Sequence, residues 1–205
     1  MNLLVHVCCA PCFCFTDKRL REQGHKVTGF WYSPNIHPAA EYDLRLEAMH
    51  KYSALKGTPI VFCGGNAPED IERWARAAFS SSENREWRTA NRADDSRFAN
   101  LESRTVNRCA GCYDVRLREA ALYAKENNFD AFTTTLLYSI YQKHNLIRAA
   151  GERIAAEVGI QFFYEDFRKG WREGICISKE LGLYRQKYCG CFLSEQESIK
   201  SLRAI

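Results

Sequence analysis

Two hydrophobic periods take turns along the chain. Asn2–Val7 is a largely apolar run of strand length, and Pro11–Gln23 then reads as a helix with Gly24 as its stop. Lys26–Tyr32 is a second strand, and Ser33–Pro38 is a turn-rich loop. Ala39–Lys56 reads as a helix whose inward face would be Leu44, Ala48, Tyr52 and Leu55, ended by Gly57. A third strand follows at Pro59–Cys63. Ala67–Phe79 is the next helix, with Pro68 in its first turn and acids behind it. From Ser80 to Arg108 the regularity breaks, and the polar, serine- and arginine-rich stretch is expected to be a mobile loop or lid. Cys112–Asn127 reads as a helix with Leu117, Ala121 and Ala124 on one face. Ala131–Leu137 reads as a strand, Asn145–Val158 as a helix and Ile160–Tyr164 as a last strand. Two short helices are expected around Tyr184–Cys191.

Strand–helix alternation of this kind predicts an α/β fold: a mainly parallel, Rossmann-like sheet with helices on both faces. Ligands on such sheets bind beyond the carboxyl ends of the strands, at a topological switch point. At 205 residues the chain is expected to form one catalytic domain, with the polar insertion at about 80–108 and a cysteine-containing tail at about 170–205. A core of that size does not need disulfides. The start of the chain is too short and lacks the basic region of a signal peptide, and no stretch has the length of a membrane span. A cytoplasmic location with no membrane partner is therefore expected. The net charge of +4 permits a nucleic-acid partner without requiring one.

Ten cysteines in a cytosolic chain argue for metal or catalysis rather than a disulfide framework. Seven of them fall into three tight groups: Cys8, Cys9 and Cys12 after the first strand, Cys109-x-x-Cys112, and Cys189-Gly-Cys191. The first group lies between a strand end and a helix N-terminus, where backbone dipoles lower a thiol pKa. Adjacent strand residues point to opposite faces, so Cys8 and Cys9 cannot both fill one core layer. Cys109-x-x-Cys112 fits half a zinc knuckle, a redox pair or one arm of a cluster, placed just before a helix. Cys189 and Cys191 suit either ligands or a thiol pair. Cys63 and Cys176 read as core residues, while Cys14 turns away from Cys12 along its helix. His6 stands next to the first group. Tyr32, Asn35, His37 and Tyr42 form either an ordinary turn or a platform for a ring. The seven arginines between Arg76 and Arg108 read mainly as a solvated face. No glycine-rich phosphate loop follows the first strand; thiols occupy that place.

Five segments then occur in order: His6-x-Cys-Cys-Ala-Pro-Cys12, Tyr32-x-Pro-Asn-Ile-His-Pro38, Cys109-x-x-Cys-Tyr-x-x-Arg-Leu117, Phe132-Thr-Thr-Thr-Leu136 and Leu183-Tyr-Arg-Gln-Lys-Tyr-Cys-Gly-Cys191. Together they resemble the QueH family, the cobalamin-independent epoxyqueuosine reductases. The resemblance implies an adenine nucleotide alpha hydrolase-like fold and reduction of epoxyqueuosine to queuosine at the wobble position of tRNA. It further implies a 4Fe-4S cluster and a second, mononuclear iron held by Cys8, Cys9, Cys12, Cys109, Cys112, Cys189 and Cys191, the last two also candidates for catalysis. Tyr32, Asn35, Tyr113, Arg116, Thr134 and Arg185 would contact the substrate, and an external donor of ferredoxin or flavodoxin type would supply electrons. The rival readings are a sulfur-transferring iron–sulfur enzyme, whose ATP loop is missing, and a zinc-stabilised RNA-binding module.

Overall fold

The computed structural model describes residues 1–79 and 101–203, with side chains over 1–79 and 108–199. β1 (Asn2–Val7) is the middle strand of a five-stranded sheet ordered β3-β2-β1-β4-β5. β2 (Lys26–Trp31) and β4 (Ala131–Thr134) flank it, β3 (Ile60–Phe62) and β5 (Gln161–Phe162) form the edges, and every pairing is parallel. The sheet is all-parallel where a mainly parallel one was expected. Its middle strand is covered on both faces, so Leu3, Leu4, Val5 and Val7 are all fully buried.

The helices are α1 (Ala10–Glu22), α2 (Ala39–Lys56), α3 (Pro68–Ala78), α4 (Leu101–Glu126), α5 (His144–Val158), α6 (Trp171–Glu180) and α7 (Phe192–Arg203). Asp17 of α1 ties three elements together. Tyr52 Oη donates to it at 2.8 Å, Thr58 Oγ1 at 2.7 Å and Arg21 Nε at 2.6 Å. Three donors on one buried carboxylate offset its loss of water. Among the described residues no helix is long and apolar enough to cross a membrane.

Several expectations are corrected. The inner face of α2 is Tyr42, Arg45, Ala48, Met49 and Tyr52, whereas Leu44 and Leu55 are exposed. Counting apolar positions passed over an arginine that belongs inside. β4 ends at Thr134, and Thr135–Tyr138 is a short 3-10 turn rather than more strand. Its start is fixed by Thr134 Oγ1, which accepts from the Leu136 amide at 3.1 Å. Cys63 and Cys176 are exposed, not core. β3 is a three-residue edge strand that ends before Cys63, and the Ile-Cys-Ile run lies on a helix, where successive residues point about 100° apart. The expected lid at about 80–108 falls outside the described residues from 80 to 100. α4 already runs from Leu101, so Cys109 and Cys112 lie inside a helix rather than ahead of one.

Gly111 explains how that helix seats. A Cβ there would stand 2.1 Å from the Ala77 carbonyl oxygen of α3, so only glycine lets the two helices meet at this point. Gly111→Ala is expected to destabilise the fold by about 1–3 kcal/mol, the range for overpacking. It should lower the denaturant midpoint without changing the slope. An unchanged midpoint would mean that α3 has a second way to pack.

Candidate metal centre

β1 stops at Val7, and the chain bends at Cys8 and enters α1 through Cys9, an extended N-cap residue (φ −173°, ψ 155°). Pro11 occupies the first turn and Cys12 follows it. The face-alternation argument for Cys8 and Cys9 therefore does not apply, because neither is within the strand. Both turn into one pocket. The Sγ atoms of Cys8, Cys9 and Cys12 all lie within 4.8 Å of one another and are buried. Cys8 Sγ and Cys9 Sγ are 3.8 Å apart. Thiolates bound tetrahedrally at ~2.3 Å from one soft ion stand ~3.8 Å apart, so three thiols at this spacing fit a single metal with one position left open.

The three thiols are not equivalent. The Cys8 pKa is held well below the ordinary thiol value because Cys12 and Cys9 bond to it, with further help from Arg116 and Thr135. Burial raises that of Cys9, and bonding to Cys8 and Cys9 raises that of Cys12. Thr135 receives the Cys8 amide on Oγ1 at 3.2 Å. Gln186 Nε2 donates to Cys9 Sγ at 2.8 Å.

The other four thiols gather beside them. Cys109 and Cys112 lie one turn apart on α4. Cys112 and Cys191 pack with Trp74, Ala75 and Ala78 of α3 in a small apolar cluster. Burial raises the pKa values of Cys109 and Cys112, and each also feels Cys191. Cys189 is pushed up to about 12, first by burial and then by Cys191 and Cys112. Among the described residues only Cys8, Cys9 and Cys12 meet the tight spacing, so this second group is wider.

Two buried arginines connect the groups. Arg116, 1% exposed, donates from Nε to His6 Nε2 at 3.3 Å and from Nη1 towards Cys112 Sγ at 3.9 Å. It lies in the field of Cys112, Cys8 and Cys189. Arg45 binds the tail loop: its Nη1 donates to the Cys189 carbonyl at 2.9 Å, its Nη2 to the Tyr188 carbonyl at 3.0 Å and its Nε to Glu41 at 2.7 Å. The His37 amide donates to the Gly190 carbonyl at 2.8 Å. Gly190 has φ +133°, and a Cβ there would meet Asn35, Arg45 and Ile36 within 3.2 Å, so the loop can lie this close only with glycine.

The residues singled out for substrate contact fall into two sets. The hydroxyls of Tyr32, Tyr113 and Thr134 are engaged within the protein, on Asp70 and Arg73, on Gln142 and the Lys143 amide, and on His6. They build the wall. Asn35, 1% exposed, has neither amide atom paired, and Arg116 Nη2 is also without a partner among the described residues. Arg185 is exposed and close enough to Tyr138 to act on its hydroxyl. His6 is fully buried, its pKa lowered to about 3 by burial and by Arg116, so it is a neutral hydrogen-bonding link. Two residues went unnoticed in the sequence: Arg45 and Gln142, whose Nε2 donates to Cys189 Sγ at 3.3 Å. Glu41 and Arg45 at i,i+4 were a visible pair, but nothing local marked Gln142.

Comparison with known proteins gives one consistent result. The family model described as Epoxyqueuosine reductase QueH matches residues 3–197. A protein named epoxyqueuosine reductase QueH from Dehalococcoides mccartyi is 36% identical over 196 residues, covering 96% of this chain and 93% of its own. Its namesake from Thermotoga maritima is 34% identical, over 94% of this chain and 90% of its own. The one from Haemophilus influenzae is 34% identical, over 97% and 74%.

The tail clamp yields a prediction. Arg45→Met leaves Glu41 and two carbonyls buried without their cation, which is expected to cost about 3–5 kcal/mol. Amide exchange across residues 188–191 should accelerate more than in the sheet. Adding Glu41→Leu should recover stability but not the slow exchange. If the single variant keeps slow exchange at 188–191, Arg45 is not what holds the loop.

Proposed function

The chain belongs to the epoxyqueuosine reductase QueH family, and we propose that it reduces epoxyqueuosine within tRNA, at the wobble position, with iron held by its seven clustered thiols. As a family member it is an oxidoreductase of queuosine biosynthesis. The observation that carries the reading is the convergence of both thiol groups on Arg116 at the carboxyl end of β1. β1 is also where the strand order reverses between β2 and β4, the place where sheets of this type bind ligands.

Four thiols, Cys109, Cys112, Cys189 and Cys191, match the ligand count of a 4Fe-4S cluster, and their wider spacing suits a larger group. Cys8, Cys9 and Cys12 suit a mononuclear iron with an open position. When bound, such groups supply single electrons and Lewis acidity. The reaction breaks both C–O bonds of the epoxide and leaves a carbon–carbon double bond, and the oxygen departs as water with two electrons and two protons. The electrons come from an external donor of ferredoxin or flavodoxin type. The protein's own part is to bind and to orient. Asn35 and Arg116 bring unpaired polar atoms, each costing about 1–3 kcal/mol while unsatisfied, and a polar substrate relieves them. Arg185 stands at the exposed rim, available to phosphate. Tyr32, Tyr113 and Thr134 hold the pocket's shape from behind. Arg45 fixes the Cys189–Cys191 loop, so both thiols stay in place between turnovers.

The deciding experiment is mass analysis of tRNA nucleosides after anaerobic incubation with a reductant. Epoxyqueuosine should lose one oxygen. Binding to tRNA should weaken steeply as salt rises. A Cys109→Ser/Cys112→Ser double variant should lose acid-labile sulfide and most of its iron. Full retention would sink the cluster assignment, and stoichiometric zinc without sulfide would sink the redox reading. Cys191→Ala should lose iron and turnover together; an inactive variant with its iron intact would instead make Cys191 an electron relay.

A further inference from the structure

The loop after the Thr135–Tyr138 turn sends neighbouring side chains in opposite directions. Gln142 reaches the Cys189 thiol, while Tyr141 points outward and is 76% exposed. The ring has one aromatic neighbour among the described residues. It meets Trp171 at 5.6 Å and 81°, edge to face. Trp171 in turn packs on Tyr138 at 5.1 Å, and the Tyr138 hydroxyl donates to the Trp171 carbonyl at 2.8 Å. Tyr138 is itself buried and lies in the field of the Cys12 and Cys9 thiols and of Arg185. Three rings therefore lead from the thiol pocket to the surface, and the last is largely open to solvent.

The charge around the outer rings is one-sided. Lys143, Lys169 and Arg172 are exposed, lie within two residues of Tyr141 or Trp171, and make no ion pair among the described residues. The acids nearby are already engaged, Asp166 with Arg168 and Glu173 with Lys18. The patch is thus an exposed aromatic ring set against Trp171, with unpaired cations next to both in the chain. That is the composition of a single-stranded nucleic-acid platform, where bases stack on rings and phosphates meet Lys and Arg.

We propose that Tyr141, braced by Trp171, stacks a nucleobase flanking the nucleoside in the thiol pocket, so that the RNA loop is splayed between the two sites. This rests on the reading that the substrate is reduced within RNA. Stacking of one base on one ring is sequence-tolerant, so the platform would grip the loop without reading it.

The test uses fluorescence anisotropy with the full chain and two stem-loop RNAs. Both carry epoxyqueuosine in the loop, and one has abasic sites at the two flanking positions. Tyr141→Ala should weaken binding of the intact loop about tenfold, within the range measured for one lost stacking contact. On the abasic RNA the variant and the native protein should bind alike. Tyr141→Phe should stay within about twofold of the native protein on both. Because Tyr141 is exposed, these variants are expected to fold. Equal affinity of Tyr141→Ala for the intact loop overturns the platform, as does an equal loss on both RNAs. A loss seen only in turnover driven by a protein electron donor, and not in binding, also overturns it and assigns the patch to the donor. A base-dependent loss of binding supports the platform even where the bound epoxide is not reduced; that failure would count against the reduction alone.

Discussion

Two guanidinium groups buried among thiols hold the active end of this protein together. Arg116 and Arg45 are each 1% exposed, and burying a cation is affordable only with compensation. Arg116 finds it in Cys112, Cys8 and Cys189, and Arg45 in Glu41, Cys9 and two tail carbonyls. The dependence is mutual. Seven thiols crowded into one region would resist ionising together, since each thiolate raises its neighbours. Fixed positive charge among them lets some be anions, which is the form that binds metal. Arg45 also does what no thiol can do: it ties α2 to the tail loop through two main-chain carbonyls.

Much of this was legible in the chain. The alternation of periods gave the parallel sheet and the order of its elements, because each strand of a covered sheet is apolar on both faces. The Cys8–Cys12 string, at a strand end and holding Pro11, marks the pocket in the sequence itself. Local patterns could not reveal which polar residues face inward. Arg45 occupies the buried face of α2 where Leu44 and Leu55 looked better suited, and Gln142 stands in an unremarkable loop. Their partners are Cys189, Tyr188 and Glu41, and two of these lie more than a hundred residues away from Arg45. A long-range hydrogen bond to a main-chain carbonyl leaves no periodicity behind it. Cys63 and Cys176 failed for the opposite reason. Apolar neighbours in sequence were read as a buried run, yet one residue follows the end of an edge strand and the other lies on the outer side of a helix.

The site also shows how one fold can be turned to different chemistry without moving its parts. In a Rossmann-like sheet the first strand runs into a helix whose N-terminus carries unpaired amides and partial positive charge, and that end commonly receives phosphate. Here the same place receives the chain's own sulfur. Cys9 is the N-cap of α1 and Cys12 lies in its first turn, and both bond to Cys8 just ahead of the helix, the thiol whose pKa is lowered. A glycine-rich loop keeps its backbone bare so that a phosphate can approach. Cys8, Cys9, Ala10 and Pro11 fill that space with side chains and remove one amide, which leaves no cradle for a triphosphate. The tail loop then completes a wall that the sheet alone lacks, and Arg45 is the reason a segment so late in the chain arrives there in register.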